Sequence, residues 1–87
     1  MMIQRTASAG TLESSDIQVT IRPHEGLQFY LESPVKQRYQ EQIIKTVKEV
    51  LDEHEIKDAQ IQLTDHGALD CVIRARVLTA IMRSIEE

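Results

Sequence analysis

Two adjacent serines, Ser14 and Ser15, are the residues of this sequence best placed to carry chemistry. They lie in a polar stretch without helical or strand periodicity, between the acidic residues Glu13 and Asp16. Ionised carboxylates are costly to bury unpaired, so we expect this stretch to be exposed. The nearest histidine is His24, and a serine without a neighbouring base is a poor nucleophile. The residues themselves leave two possibilities, a solvated turn or a hydroxyl that is modified.

The other residue types that could do chemistry give weaker signals. Cys71 alternates with Leu69 and Ile73, which predicts a small buried side chain on an apolar strand face. As the sole cysteine it forms no internal disulfide, which fits a reducing cytoplasm. No catalytic constellation is found, and no metal site is expected because the histidines lack ligand spacing; they are His24, His54 and His66.

Composition limits the partners of the chain. Its 87 residues carry a formal net charge of −4, and this acidic field disfavours nucleic acid and anionic membranes. No run of 18 apolar residues indicates a membrane span. Aromatic residues make up 3% of the chain, so the core must consist of Ile, Val and Leu around Phe29 and Tyr39. Protein partners fit this composition best.

The first half of the chain predicts an arm followed by a hairpin. Residues 1–16 lack a period of 2 or 3.6, which indicates a flexible N-terminal arm carrying the serines. Residues 17–22 and 27–32 alternate apolar and polar side chains, as half-buried strands do. Pro23–Gly26 has the proline and glycine that a tight reversal requires, so these strands are predicted to pair.

The second half predicts a helix, another hairpin and a final helix. Ser33 and Pro34 are typical of a helix start, and the helix is expected to end near Glu53. Residues 59–64 and 69–74 then form two strands around Asp65–Gly67, and residues 75–85 form a helix. The apolar stripe of the first helix comprises Val35, Tyr39, Ile43, Val47, Val50 and Leu51.

The resulting order is β-β-α-β-β-α. It predicts an α+β two-layer sandwich over residues 17–87, in which an antiparallel-rich, four-stranded sheet is covered by two helices on one face. The separate arm is residues 1–16. Strand order within the sheet is not fixed by these patterns.

Two segments, Ala9–Asp16 and Asp65–Val77, resemble the acyl carrier protein (gamma) subunit of bacterial citrate lyase. The resemblance implies that Ser14 carries 2'-(5''-phosphoribosyl)-3'-dephospho-CoA through a phosphodiester, with Ser15 as the competing position. It also implies a non-catalytic carrier that presents acetyl and citryl thioesters while partner subunits convert citrate to acetate and oxaloacetate. Those partners would be the alpha (acyl transferase) and beta (citryl lyase) subunits and a prosthetic-group transferase.

Several alternatives remain open at this level. Arg74 and Arg76 are candidates for contact with a partner subunit or with the phosphates of the group, and an ion pair with Asp70 is equally consistent. The chain could instead be a related carrier of malonate decarboxylase. A small α+β interaction module whose Ser-Ser loop is phosphorylated is the alternative outside the carrier class.

Overall fold

The structure, a computed structural model, describes residues 2–34 and 37–85. It confirms the α+β class, with a four-stranded mixed sheet and two helices. The order along the chain is β-β-β-α-β-α, which corrects the predicted β-β-α-β-β-α. The elements are β1 (Ala7–Gly10), β2 (Ile17–Arg22), β3 (Leu27–Glu32), α1 (Gln37–Glu53), β4 (Ala59–Asp65) and α2 (Asp70–Ile85).

The strands lie side by side in the order β1-β2-β4-β3. The β1–β2 and β2–β4 pairs are antiparallel, whereas β3 and β4 are parallel. The predicted hairpin of β2 with β3 is therefore wrong, because β4 is inserted between them. Parallel neighbours require a crossover connection, which α1 supplies between β3 and β4.

The Pro23–Gly26 connection contacts the entrance to β4 instead of closing a hairpin. The Gly26 amide donates to Asp58 Oδ1 at 2.7 Å, and the Ala59 amide donates to the Gly26 carbonyl at 3.0 Å. Gly26 has a φ of 76°, a left-handed conformation that glycine adopts without steric cost. The turn residues were predicted, but their partners come from another part of the chain.

One face of the sheet forms the core with both helices. The inward apolar residues of β2 and β4 are at most 1% exposed, and α1 packs against α2 above them. Tyr39, predicted to lie in the apolar stripe of α1, is 49% exposed and Phe29 is only half-buried. Val35 of the predicted stripe lies outside the described residues. The buried residues of the stripe are Ile43, Val47, Val50 and Leu51.

Residues 69–74, predicted as a return strand, belong mainly to α2. Asp65 ends β4 and its Oδ1 accepts the Ala68 amide at 3.0 Å, while Gly67 has a φ of 93°. The alternation at residues 69–73 is short, and the longer apolar repeat with spacings of three and four governs the local structure. Its buried members are Ile73, Val77, Ala80 and Ile81, and the polar Ser84 is buried on the same helix.

This correction also changes the environment of two side chains. Cys71 is exposed instead of buried, and Leu69 is 70% exposed. Cys71 lies in the first turn of α2, and Leu69 immediately precedes the helix.

The segment predicted as an irregular arm contains β1. Ala7–Gly10 pairs with β2, and Ala9, opposite Val19, is 4% exposed. Ile3 is also buried in the core. The alternation in β1 is hidden from sequence because alanine, serine and glycine give little hydropathy contrast. The division into residues 1–16 and 17–87, and the mobility of the arm, stay predictions.

Candidate functional site

The two serines occupy the centre of a tight turn that connects β1 to β2. The Asp16 amide donates to the Glu13 carbonyl at 3.2 Å and closes the turn. Ser15 has a φ of 65°, whereas Ser14 has a negative φ, which is the pattern of a type II turn. Both serines are exposed. The prediction of an exposed Ser-Ser segment is confirmed.

The Ser14 hydroxyl is free for reaction with an incoming group. No described residue forms a hydrogen bond with it, and Ser14 has the first central position of the turn. Ser15 is equally exposed, but its amide donates to the His66 carbonyl at 2.8 Å. The backbone of Ser15 therefore anchors the turn to the residue that follows β4. Ser14 makes no such contact with the described residues.

Asp16 is the residue that fixes this turn, contrary to the expectation that it would be solvated. It is 8% exposed. Its Oδ2 accepts the Thr11 hydroxyl at 2.6 Å, and its Oδ1 accepts the Ile17 amide at 2.7 Å. Thr11 and Asp16 thus close the loop across its base, and the sequence pattern did not indicate this supporting contact of Thr11.

Arg76 of α2 completes the environment of Asp16. Its Nε donates to Oδ1 and its NH2 group to Oδ2, both at 3.0 Å. Two parallel bonds between a guanidinium and a carboxylate combine charge attraction with fixed geometry. The bonds from Arg76, and after them those from Thr11 and Ile17, hold the pKa of Asp16 far below its usual range.

The two arginines singled out in the sequence have different partners, and neither is paired with Asp70 in the structure. Arg74 bridges to Glu49, at 3.4 Å, and to Glu53 on α1. Arg76 supports the serine turn through Asp16. Contact of Arg76 with a partner subunit or with phosphates stays a prediction. Its ion pair is with Asp16, 60 positions away in the sequence, and not with Asp70.

Gly10 fixes the entry to the loop. It has a φ of 89°, and a Cβ at this position would lie 1.9 Å from the Ile17 carbonyl oxygen. Only glycine fits this close approach between the end of β1 and the start of β2. The exit is fixed as well, because the His66 amide donates to the Asp16 carbonyl at 2.9 Å.

The charge of the turn is lower than its two acids suggest. Asp16 is neutralised by Arg76, so Glu13 is the acidic side chain left free beside Ser14 in the described residues. No cluster of His, Cys, Asp or Glu able to hold a metal occurs within residues 2–34 and 37–85. Neither described helix is long and apolar enough to span a bilayer.

This geometry suits a protein that is modified and carries a group. The exposed hydroxyl stands on a turn braced by the end of β4 and by α2. A family model for acyl carrier proteins, described as malonate decarboxylase delta subunit (MdcD), matches residues 4–84. The chain belongs to this family of non-catalytic acyl carrier proteins.

Relatives of the chain include citrate lyase acyl carrier proteins. The citrate lyase acyl carrier protein of Treponema denticola is 51% identical over 87 residues, with both chains fully covered. The protein of the same name from Haemophilus influenzae (strain PittEE) is 49% identical, covering all of this chain and 92% of the relative. That of Oenococcus oeni is 43% identical, covering 100% and 91%.

The fold also occurs in a multi-subunit decarboxylase. A chain in the crystal structure of a Pseudomonas malonate decarboxylase hetero-tetramer in complex with malonate superposes with a TM-score of 0.78 at 20% identity. The superposition covers 95% of this chain and 87% of the other. At this identity the similarity shows the fold alone.

Proposed function

We propose that the protein is the acyl carrier subunit of citrate lyase and that Ser14 is the attachment point of its prosthetic group. The observation that carries the site is the exposed, unbonded Ser14 hydroxyl on a turn fixed by Asp16. The assignment to citrate lyase is supported by the full-length similarity to citrate lyase carriers, at 43–51% identity.

The proposed group is 2'-(5''-phosphoribosyl)-3'-dephospho-CoA, linked to Ser14 by a phosphodiester. When bound, it supplies a thiol, which activates acyl groups as thioesters. The chain itself holds the hydroxyl at a defined point in space, keeps it accessible to a transferase and leaves the neighbouring charge low. Alpha and beta subunits would perform the chemistry, and a cytoplasmic location is part of the proposal.

Intact-mass measurement of the chain produced together with its own modifying enzymes tests the site. We expect a mass increment of the size of the whole group, which is lost in Ser14→Ala. Ser15→Gly is the matched control, because it removes the other hydroxyl and glycine tolerates the positive φ at this position. It should retain the full increment.

Two other results would contradict the proposal. An increment that persists in Ser14→Ala and disappears in Ser15→Gly would place the group on Ser15. A phosphate-sized increment would instead indicate a phosphorylated interaction module.

A carrier of malonate decarboxylase is the second candidate, and the match to the malonate decarboxylase delta-subunit model favours it. Loaded carrier mixed with the purified alpha and beta subunits of citrate lyase distinguishes the two. Citrate cleavage that depends on the carrier supports the first function. Activity restored to a carrier-depleted malonate decarboxylase, without citrate cleavage, would support the second.

A further inference from the structure

The serine turn has a conformation that its own residues do not favour. Ser15, the second central residue of the turn from Glu13 to Asp16, has a φ of 65°. An L-residue other than glycine is strained in this left-handed region. A type I turn over the same residues would need no positive φ and suits most residue types. The observed type II form must therefore be held by contacts from outside the turn.

The two turn forms present the two serine hydroxyls differently. They are related by rotation of the peptide group between Ser14 and Ser15. Ser14 keeps a negative φ in both forms, whereas the φ of Ser15 changes sign, which moves its side chain to another direction. The rotation also turns the Ser15 amide away from the His66 carbonyl, to which it now donates at 2.8 Å. The form of the turn therefore sets which hydroxyl an enzyme meets.

The outside contacts meet at Asp16, the last residue of the turn. Its carboxylate receives two bonds of 3.0 Å from Arg76, and its carbonyl accepts the His66 amide at 2.9 Å. The side chain of Arg76 passes close to the backbone of Gly10, because a Cβ added there would lie 3.3 Å from the Arg76 Cδ. Arg76 is thus packed on one side and bonded on the other, and through it α2 holds the end of the turn.

From these contacts we propose that Arg76 and Asp16 are positioning residues that direct attachment of the group to Ser14 instead of Ser15, by holding the turn in its type II form. The inference rests on the proposed function. In the attachment step, the Ser14 Oγ bonds to phosphorus of a phosphoanhydride-activated form of the group. The anhydride P–O bond breaks, the phosphate portion leaves, and the hydroxyl proton passes to a base of the transferase. Arg76 and Asp16 exchange no bond or proton in this step.

Attachment kinetics of the full chain, with the purified transferase and the activated group, test the role of Arg76. Arg76→Gln should raise the KM for the carrier about tenfold and leave kcat nearly unchanged, because the transferase accepts only the fraction of chains in the type II form. Mass-spectrometric peptide mapping should find part of the group on Ser15. Arg76→Lys keeps the charge without the paired bonds and should act in the same direction. Arg74→Gln is the matched control, since it removes the bridges of α2 to Glu49 and Glu53, and it should load as the parent does.

A second substitution separates positioning from direct contact of Arg76 with the transferase or with phosphates. Glycine adopts the positive φ of a type II turn without strain, so Ser15→Gly added to Arg76→Gln should restore the KM of the parent. Loss of a direct contact would not be restored in this way. Ser14→Ala combined with Arg76→Gln should accept the group on Ser15, whereas Ser14→Ala alone should not.

The parent KM together with attachment to Ser14 alone in Arg76→Gln would overturn the proposal. An equal rise of KM in Arg74→Gln, or no recovery on adding Ser15→Gly, would overturn it as well. Circular dichroism at the assay temperature checks that each variant is folded, and if Arg76→Gln is not, Arg76→Lys with and without Ser15→Gly gives the same comparison. Failure of the proposed function is detected separately, as a parent chain that takes up no group on either serine.

Discussion

At the scale of single residues, the serine turn depends on contacts made by residues other than the serines. Asp16 accepts bonds from Thr11, from the Ile17 amide and from both donors of Arg76. A buried carboxylate with its lone pairs satisfied in this way is stabilised in its ionised form. The contacts of Asp16 therefore fix the conformation of the turn.

Asp16→Asn should lower stability at neutral pH and remove part of the acid sensitivity of the fold. The pKa of Asp16 is depressed in the folded state, so its ionised form stabilises the fold above the pKa of the unfolded carboxyl. That contribution is lost progressively as the pH falls below about 4. Urea unfolding at pH 7 and at pH 3 measures the free energy of unfolding, and the difference between parent and variant should be larger at pH 7. An equal gap at both pH values would contradict this account.

Gly10→Ala should destabilise the protein by more than about 2 kcal/mol, because the backbone conformation is left-handed and the added Cβ meets the Ile17 carbonyl. Gly67→Ala is the control, since Gly67 has a similar φ of 93° and nothing lies within 4 Å of its Cβ position. Its cost should be about 1–2 kcal/mol. Denaturant titration gives the free energy of unfolding of both variants. Equal losses of stability would show that the close contact at Gly10 is relieved at little cost.

At the scale of elements, α2 joins the core to the candidate site. Its inner face carries Ile73 and Val77, both 1% exposed. Arg76, beside this face, bonds to Asp16. If residues 69–74 had formed a strand, their side chains would have pointed alternately to the two faces of a sheet. The helix instead places the basic residues along its sides, where Arg74 contacts α1 and Arg76 contacts the serine turn.

The helix assignment predicts that Cys71 reacts with a thiol reagent in the folded protein. Its side chain is exposed at the start of α2, so titration of the unmodified chain in native buffer should detect about one thiol per chain, as in denaturant. The same titration of Cys71→Ser should detect no thiol, and this variant should fold as the parent does. A thiol that reacts only after unfolding would favour the buried strand position instead.

At the scale of the whole molecule, stability is concentrated in β2, β4 and the inner faces of the helices. The β3 side contributes less because its apolar residues remain partly solvated. This uneven burial separates a well-packed half from the more solvated β3 side.

Leu63→Ala should cost about 2–5 kcal/mol, because Leu63 is 1% exposed and its truncation leaves a cavity in the central strand. Leu27→Ala should cost less than about 1 kcal/mol, since a side chain that is already 42% exposed loses little burial. Thermal or urea unfolding of both variants gives the comparison. Similar losses would show that the β3 side is as well packed as the centre.

Local patterns in the sequence were sufficient for several features. Alternation in residues 17–22, 27–32 and 59–64 predicted three of the four strands. The apolar repeat after Pro34 predicted α1, and the lack of periodicity around Ser14 predicted an exposed segment. These features are determined by residues within a few positions of one another, because side-chain periodicity and turn preferences are local properties.

Tertiary structure decided the features that depend on distant partners. The place of β4 between β2 and β3 follows from a crossover that no single strand specifies, and α2 became a helix because its longer repeat packs on the sheet. Asp16 was expected to be solvated, since its charge alone predicts exposure. Its actual burial depends on Arg76, 60 residues away, and only the fold brings that guanidinium to the carboxylate.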